Sequence, residues 1–153
     1  MNIEHIFKNN SLISLLEKCV TQYPQQNALV FNNKRVTYAD IKQLIDRIAA
    51  FLTAQGVKKG DRIGLYCANN EAFPIAYFGI LKSGAVVVPV NVLLNPQELI
   101  QIFNDASIQA LIFHDVFSDA VAAMREHFNS VSFTLGIGDG RVENADHQWS
   151  QAI

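Results

Sequence analysis

Cysteine is scarce in this chain of 153 residues, which contains only Cys19 and Cys67. The two cysteines are isolated in the sequence and lack the close spacing of a metal site. We interpret both as small buried hydrophobic residues, the usual role of unpaired cysteines in a reducing compartment. The cysteine content therefore favours a cytoplasmic protein.

An excess of positive charge and long apolar runs are also missing. The chain has 12 lysines and arginines against 14 aspartates and glutamates, a net charge of −2. Such a balance gives no basic field for nucleic acid or anionic lipid. No run approaches the ~18 consecutive apolar residues of a membrane-spanning helix. The N-terminal MNIEHIFKNN lacks the features of a signal peptide. From the charge, the apolar runs and this N-terminus together, we expect no nucleic-acid partner, no transmembrane segment and a cytoplasmic location.

Patterns that accompany catalytic or metal-binding residues are missing as well. No histidine has a partner at metal-ligand spacing on one element; the four are His5, His114, His127 and His147. Adjacent strand residues point to opposite faces, so His114 and Asp115 are a poor catalytic dyad. Ser83 lacks the glycines of a nucleophile elbow. The other charged candidates are interpreted as turn residues or solvated faces; they are Asp40, Asp46, Arg47, Asp61 and Arg62.

One glycine-rich run, Gly136–Gly140, follows a predicted strand. Glycines there could let backbone N–H groups approach a phosphate, but a dinucleotide site needs a helix N-terminus directly behind the loop. The residues that follow are polar and weakly patterned. We favour a flexible turn, and keep a nucleotide-binding domain that uses this run as the last-ranked hypothesis. The residues themselves thus predict no catalytic, cofactor-binding or metal-binding position.

Half of the residues are hydrophobic, enough for a well-formed core. In a first portion, residues 1–58, apolar spacing predicts a helix from Ser11 to about Tyr23 and another that ends at Gln55. Between them, Asn32 and its neighbours separate two short apolar segments, which predicts a β-hairpin. We expect Thr37 to cap the second helix.

The second portion, residues 59–137, alternates strands and helices, which indicates a parallel sheet. The predicted strands are Arg62–Tyr66, Ala85–Val88, Ala110–Phe113 and Val131–Ile137, and the predicted helices are Glu71–Ser83, residues 95–105 and Val116–Phe128. Gly84 is expected to close a helix, and Pro89 to end a strand ladder because it has no N–H. Asn95 and Glu98 have the spacing of a capping box.

The last segment, residues 138–153, is polar. Only Val142, Trp149 and Ile153 could anchor it, so we predict a linker or tail, or an ordered edge of a larger body. The fold class is therefore α/β: a mostly parallel, helix-flanked sheet with an N-terminal helix–hairpin–helix portion.

The order of three segments resembles the AMP-forming acyl-CoA synthetases, the adenylate-forming superfamily. Leu81–Asn91 reads LKSGAVVVPVN, Val36–Asp40 reads VTYAD, and Asn95–Leu99 reads NPQEL. Ser83 and Val90 are mild departures from the family pattern, which has alanine and leucine there. The third segment is most similar to fatty-acid and related carboxylate:CoA ligases.

The resemblance implies an enzyme in which a carboxylate attacks the α-phosphate of ATP with Mg²⁺, and the thiol of CoA then displaces AMP. The family's phosphate loop, ribose-binding aspartate and C-terminal lysine lie later than the matched segments, and none occurs in this sequence. No catalytic or cofactor-binding residue is therefore carried over. The implied protein is an N-terminal segment of such a ligase, inactive alone, with an incomplete N-terminal domain; ATP, Mg²⁺ and CoA belong to the parent enzyme.

In the family, the portion here formed by residues 11–55 packs with a different subdomain from the strands that begin at Arg62. A segment without that partner surface would expose apolar faces, which usually find another protein surface. We therefore expect the remainder of the parent polypeptide as a partner, and self-association or exchange of the N-terminal portion in the isolated segment. The alternative function is a stand-alone, non-catalytic α/β interaction or binding module, which a stop codon directly after Ile153 would favour.

Overall fold

A computed structural model describes residues 11–153. Its helices are α1 (Leu12–Gln22), α2 (Tyr38–Ala54), α3 (Ala72–Lys82), α4 (Pro96–Asp105), α5 (Ser118–Met124) and α6 (Trp149–Ala152). Its strands are β1 (Asn27–Phe31), β2 (Lys34–Thr37), β3 (Arg62–Tyr66), β4 (Val86–Pro89), β5 (Ala110–His114), β6 (Phe133–Ile137) and β7 (His147–Gln148). None of the helices in this described part is long and apolar enough to cross a membrane.

The central sheet has five parallel strands in the order β4-β3-β5-β6-β7. Ile63 of β3 lies between Val87 of β4 and Ala110 of β5, which sets the register of the centre. Strands β1 and β2 form a separate antiparallel hairpin, with Asn32 of its turn at a positive φ of 51°. This architecture confirms the predicted α/β class, the parallel sheet and the hairpin.

Alternate residues of the central strands face two separate cores, as the period of a β-strand requires. Leu65 and Ile112 face one core together with α2, α3 and α6. Leu111 and Phe113 face the other, together with α4 and α5. Helices therefore cover both faces of the sheet, which is why its central strands are apolar on both sides.

Local capping determines where several helices begin. The N–H of Asp40 donates to Thr37 Oγ1 at 3.2 Å, which confirms the predicted cap of α2. Asn95 and Glu98 form a full capping box at α4, with donor–acceptor distances of 2.9 and 3.1 Å. Gly84, at φ +87°, follows the end of α3 in the predicted left-handed conformation.

Strand β4 ends at Pro89, as the sequence predicts, and Pro89 lies opposite Leu65 of β3. The N–H of Val86 donates to the carbonyl of Asp61, just before β3, and the N–H of Val90 donates to the carbonyl of Leu65 in β3. The even-numbered residues here therefore point their backbone groups toward β3. Pro89 therefore points to the free edge of the sheet, where its missing N–H costs no bond. The same proline leaves that edge with fewer donors for an additional strand.

Two predicted boundaries are wrong. The single helix expected over Val116–Phe128 is interrupted: 3₁₀ turns at Asp115–Phe117 and Arg125–His127 flank the shorter helix α5. Phe128 has an extended backbone that ends the second turn. The following strand begins at Phe133 rather than at Val131.

Residues 138–153 are not a linker or tail in this structure, but the ordered edge that was the other expectation. His147 and Gln148 pair in parallel with Leu135 and Gly136 of β6. Val142 and Trp149 are only 2% and 8% exposed. Non-local packing orders this segment, although its composition is polar.

The first portion contributes to the same core as the central sheet. Ile45 and Ile48 of α2 are fully buried in the same core as Ile63 and Leu65 of β3. Gly79 of α3 lies so close to Ile48 that a Cβ there would overlap its side chain. The buried face of α2 therefore covers the sheet together with α3.

Candidate functional site

Three loops meet at the carboxyl edge of the sheet, after β3, β5 and β6. They line a cleft of about 700 Å³ with residues 68–71, His114–Asp115 and residues 137–139. Helix α3 after β3 and helix α5 after β5 lie on opposite faces of the sheet. The adjacent strands β3 and β5 thus form a topological switch point, the usual ligand site of open α/β sheets. This cleft is the candidate site of the described chain.

The lining of the cleft includes a group of apolar side chains beside its polar residues. The apolar side chains come from the hairpin, α2, α3 and the C-terminal segment; they are Phe31, Val36, Leu44, Ile75, Trp149 and Ile153. Trp149 is the single tryptophan of the chain. The segment predicted as a linker therefore supplies part of the cleft wall.

Asn70 holds the start of α3 at the rim of the cleft. Its Oδ1 accepts hydrogen bonds from the N–H groups of Ala72 at 3.0 Å and Phe73 at 3.1 Å. The nearby Cys67 is buried, which raises the pKa of its thiol to about 12. A thiol with that pKa is not a nucleophile near neutral pH. This capping role of Asn70 was not predicted, although asparagine before a helix is a recognised capping signal.

An ion pair joins the hairpin to the cleft. Lys34 Nζ donates to Glu71 Oε1 at 2.6 Å. The hydrogen bond from Lys34 is the main cause that lowers the pKa of Glu71, and the same bond raises the pKa of Lys34. Lys34 is exposed, so we interpret this pair as a tether of the hairpin rather than as an acid–base pair.

His114 and Asp115 lie closer together than strand alternation predicted. His114 Nδ1 and Asp115 Oδ1 are 3.6 Å apart, because β5 ends at His114 and the 3₁₀ turn redirects Asp115. That distance is too long for a hydrogen bond. Both residues line the cleft, but their geometry does not form a catalytic dyad.

The glycine-rich run is occupied by the chain itself. A Cβ on Gly136 would lie 2.6 Å from Val142 and 2.8 Å from Ala145, and one on Gly138 would lie 2.9 Å from Asp115. Gly136 and Gly138 make room for the returning segment, so these two glycines have a packing role. The next helix, α6, begins only at Trp149, so no helix N-terminus stands directly behind the run.

The charge of the cleft also disfavours a nucleotide triphosphate. Three carboxylates, those of Glu71, Asp115 and Asp139, line it against the single lysine Lys34. Lys34 is already paired with Glu71. The described residues therefore do not fit the phosphates of ATP, because like charges in one site repel.

Several of the remaining candidates from the sequence have structural contacts. Ser83 Oγ donates to the carbonyl of Ile80 at 2.7 Å, and Asp61 accepts the N–H of Lys58 at 2.8 Å. The His147 ring packs against Phe51 and Phe133. Within residues 11–153, no group of histidines, cysteines and carboxylates is placed to hold a metal ion. His5 lies outside the described residues.

The parallel sheet covered by helices on both faces, with this switch point, defines the chain as a doubly wound α/β protein. The family model for the AMP-binding enzymes matches residues 16–151, so the chain belongs to this family.

Known ligases agree with this assignment. The chain is 33% identical over 130 residues to a medium/long-chain-fatty-acid–CoA/3-oxocholest-4-en-26-oate–CoA ligase of Mycobacterium marinum, which covers 85% of this chain and 24% of that protein. It is 36% identical over 117 residues to a long-chain-fatty-acid–CoA ligase of Salmonella typhimurium, covering 76% of this chain and 21% of the relative. The chain thus spans about a quarter of the length of these relatives.

Solved structures show the same fold. A fatty acyl CoA synthetase of Mycobacterium tuberculosis superimposes with a TM-score of 0.75 at 31% identity, over 81% of this chain and 26% of the other. A long-chain-fatty-acid CoA ligase of Rhodopseudomonas palustris gives a TM-score of 0.86 at 23% identity, over 94% of this chain and 36% of the other. The second likeness speaks for the fold alone.

Proposed function

We propose that this chain is the N-terminal segment of an AMP-forming ligase that activates a fatty acid or a related carboxylate and transfers it to CoA. The observation that carries the proposal is the family match over residues 16–151, together with relatives whose names are fatty-acid–CoA ligases. The chain spans only about a quarter of those relatives. In the whole ligase, the segment would act as framework.

The segment alone is proposed to be inactive in adenylation. The cleft has more carboxylates than cations, and its glycine run is filled by Val142. ATP, Mg²⁺ and CoA would then be handled by residues outside this chain. The residues described here would position that machinery through their packing rather than by contact with the reacting atoms.

Isotope exchange between pyrophosphate and ATP tests this proposal. The chain is incubated with Mg²⁺ and a panel of fatty acids, next to the intact ligase of Salmonella typhimurium as a positive control. We expect exchange with the intact ligase and none above background with the chain. Exchange by the chain that depends on a fatty acid would contradict the inactivity of the segment.

We also propose that the isolated chain self-associates. Self-association is supported by the exposed apolar side chains of Leu12 and Leu15 on α1.

We further propose that the compartment of the protein is the cytoplasm. This location is supported by the free thiols of Cys19 and Cys67.

A further inference from the structure

The cleft at the carboxyl edge of the sheet has the size of a small-molecule site. Its volume of about 700 Å³ lies within the range of roughly 300–1,000 Å³ that is usual for ligand pockets. Its lining also resembles that of such pockets, in which apolar side chains surround a few polar groups. The chemistry of those polar groups then indicates which class of ligand the cleft takes.

The apolar part of the cleft extends the core that α2, α3 and α6 share with the sheet. Ile75 and Trp149 belong to this core, and Val36 and Leu44 pack against it while they stay only half-buried. Phe31, at the end of β1, adds a half-buried aromatic ring to the same lining. Because these side chains converge from separate elements, they form a surface that removes the apolar body of a ligand from water.

The polar part of the cleft carries an excess of negative charge. It is lined by three carboxylates, those of Glu71, Asp115 and Asp139. Within residues 11–153, Lys34 is the only lysine or arginine that lines the cleft. Lys34 and Glu71 form an ion pair at 2.6 Å, so their charges offset each other. The carboxylates of Asp115 and Asp139 remain, and neither forms an ion pair with a lysine or arginine in the described part of the chain.

These two remaining carboxylates lie on neighbouring loops. Asp115 Oδ2 is 2.9 Å from the position that a Cβ on Gly138 would take, directly before Asp139 in the sequence. The Asp115 side chain is 47% exposed, and its Oδ1 is 3.6 Å from His114 Nδ1, too far for a hydrogen bond. Carboxylate oxygens accept hydrogen bonds and donate none, so their best partner is a group with N–H donors and a positive charge.

We propose that the cleft binds a small organic cation in which an ammonium group is joined to an apolar body. The ammonium group lies between the loops that carry Asp115 and Asp139, and the apolar body lies against the side chains that extend the core. Fatty-acid anions and phosphates are disfavoured, since their charge meets like charges in the cleft. The inference goes beyond the proposed function, because it assigns a ligand to the segment itself and not to the adenylation reaction.

The test uses the emission of Trp149, which lines the cleft and is the single tryptophan of the chain. Three probes of the same carbon number are titrated separately into the chain at neutral pH: octylammonium, octanol and octanoate. The probes differ mainly in the charge of the head group. Octanol therefore measures the apolar contribution, and octanoate represents the fatty-acid anion.

We expect octylammonium to change the emission saturably, with a dissociation constant at least about fivefold below that of octanol, and octanoate to bind more weakly than octanol. Asp115→Asn keeps the shape of the side chain and removes its charge. This variant should weaken octylammonium binding by about three- to tenfold and leave octanol binding unchanged.

The matched control is Asp119→Asn, which makes the same change of charge. Asp119 is exposed on α5 and is not part of the cleft lining. Its substitution should change the affinity for octylammonium by less than about twofold, because screening by solvent and salt weakens distant charges.

Four results would overturn the inference. Equal affinities for the three probes, or tightest binding of octanoate, show that the cleft does not select a cation. No saturable change with octylammonium up to about 5 mM shows that the cleft is not a site. Equal losses in Asp115→Asn and Asp119→Asn show that the overall charge of the protein attracts the probe.

The comparison of the three probes is made on the unaltered chain, so it decides the question of charge selection even if Asp115→Asn does not fold. In that case Asp139→Asn replaces it as the test of location. Pyrophosphate exchange has no part in these measurements, so the proposed function is judged separately.

Discussion

At the scale of single residues, Gly79 is the glycine where an added Cβ would meet the tightest contact, with Ile48. A Cβ on Gly79 would overlap the Ile48 side chain, and Ile48 is itself fully buried between α2 and α3. We predict that Gly79→Ala lowers the free energy of unfolding by about 1–3 kcal/mol, because the two helices must separate. Urea denaturation followed by circular dichroism measures this change.

The matched control for this prediction is Gly140→Ala. A Cβ on Gly140 meets nothing within 4 Å, and Gly140 is not among the residues with positive φ. Its substitution should leave the free energy of unfolding nearly unchanged. Equal stability of the two variants would show that the contact between α2 and α3 is looser than described.

The glycines show which residue roles the sequence could reveal. Gly84 and the cap at Asn95 were predictable, because their roles depend on a few neighbouring residues. Gly79 and Gly136 were not, because their roles depend on Ile48 and Val142, side chains that only the fold brings near. The glycine-rich run was interpreted as a flexible turn, with a phosphate site as the last-ranked hypothesis, and neither interpretation anticipated the packing neighbours of Gly136 and Gly138.

At the scale of elements, a charged clasp holds the C-terminal segment to the sheet. Both carboxylate oxygens of Asp146 accept from Arg125, at 2.6 and 2.8 Å. Asp146 also accepts from the N–H and the hydroxyl of Thr134. Because Thr134 is buried, we predict that Asp146→Ala costs about 1–3 kcal/mol of unfolding free energy by leaving its N–H unpaired. Urea denaturation with Glu143→Gln, an exposed change in the same segment, as a control measures this cost.

The clasp should also make stability depend on pH. Burial alone would raise the pKa of Asp146, but the hydrogen bonds from Arg125 and Thr134 outweigh it and hold the pKa below its ordinary value. The stabilisation by the carboxylate is therefore present above the unfolded pKa, near 4, and is lost as the pH falls through the lower folded pKa. A difference between wild type and Asp146→Ala that grows toward low pH would contradict this assignment.

The edge strand shows why some elements escape sequence analysis. His147 and Gln148 are too few to display a period, and their pairing with β6 depends on Val142 and the clasp. Helices with strong periodicity and local caps, such as α2 and α4, were predicted nearly to their ends. Pro89 ends β4 as predicted, but the direction in which its backbone faces follows only from the register with β3.

At the scale of the whole molecule, the parallel sheet with its helices on both faces was predictable from the alternation of apolar segments. The alternation did not reveal that the first and second portions share one core, to which residues of both α2 and β3 belong. The position of the cleft follows from the strand order, whereas its apolar wall includes Trp149 from a segment that composition marked as polar. Family membership agrees with the motifs at Leu81–Asn91 and Val36–Asp40.

The central claim is that this segment is framework and does not hold the nucleotide itself. Calorimetric titration of ATP and Mg²⁺ into the chain tests it most directly, since binding is measured without any turnover. We expect no saturable heat at concentrations up to about 1 mM. A dissociation constant of that size corresponds to a binding free energy of roughly −4 kcal/mol. A saturable one-to-one isotherm in this range would contradict it.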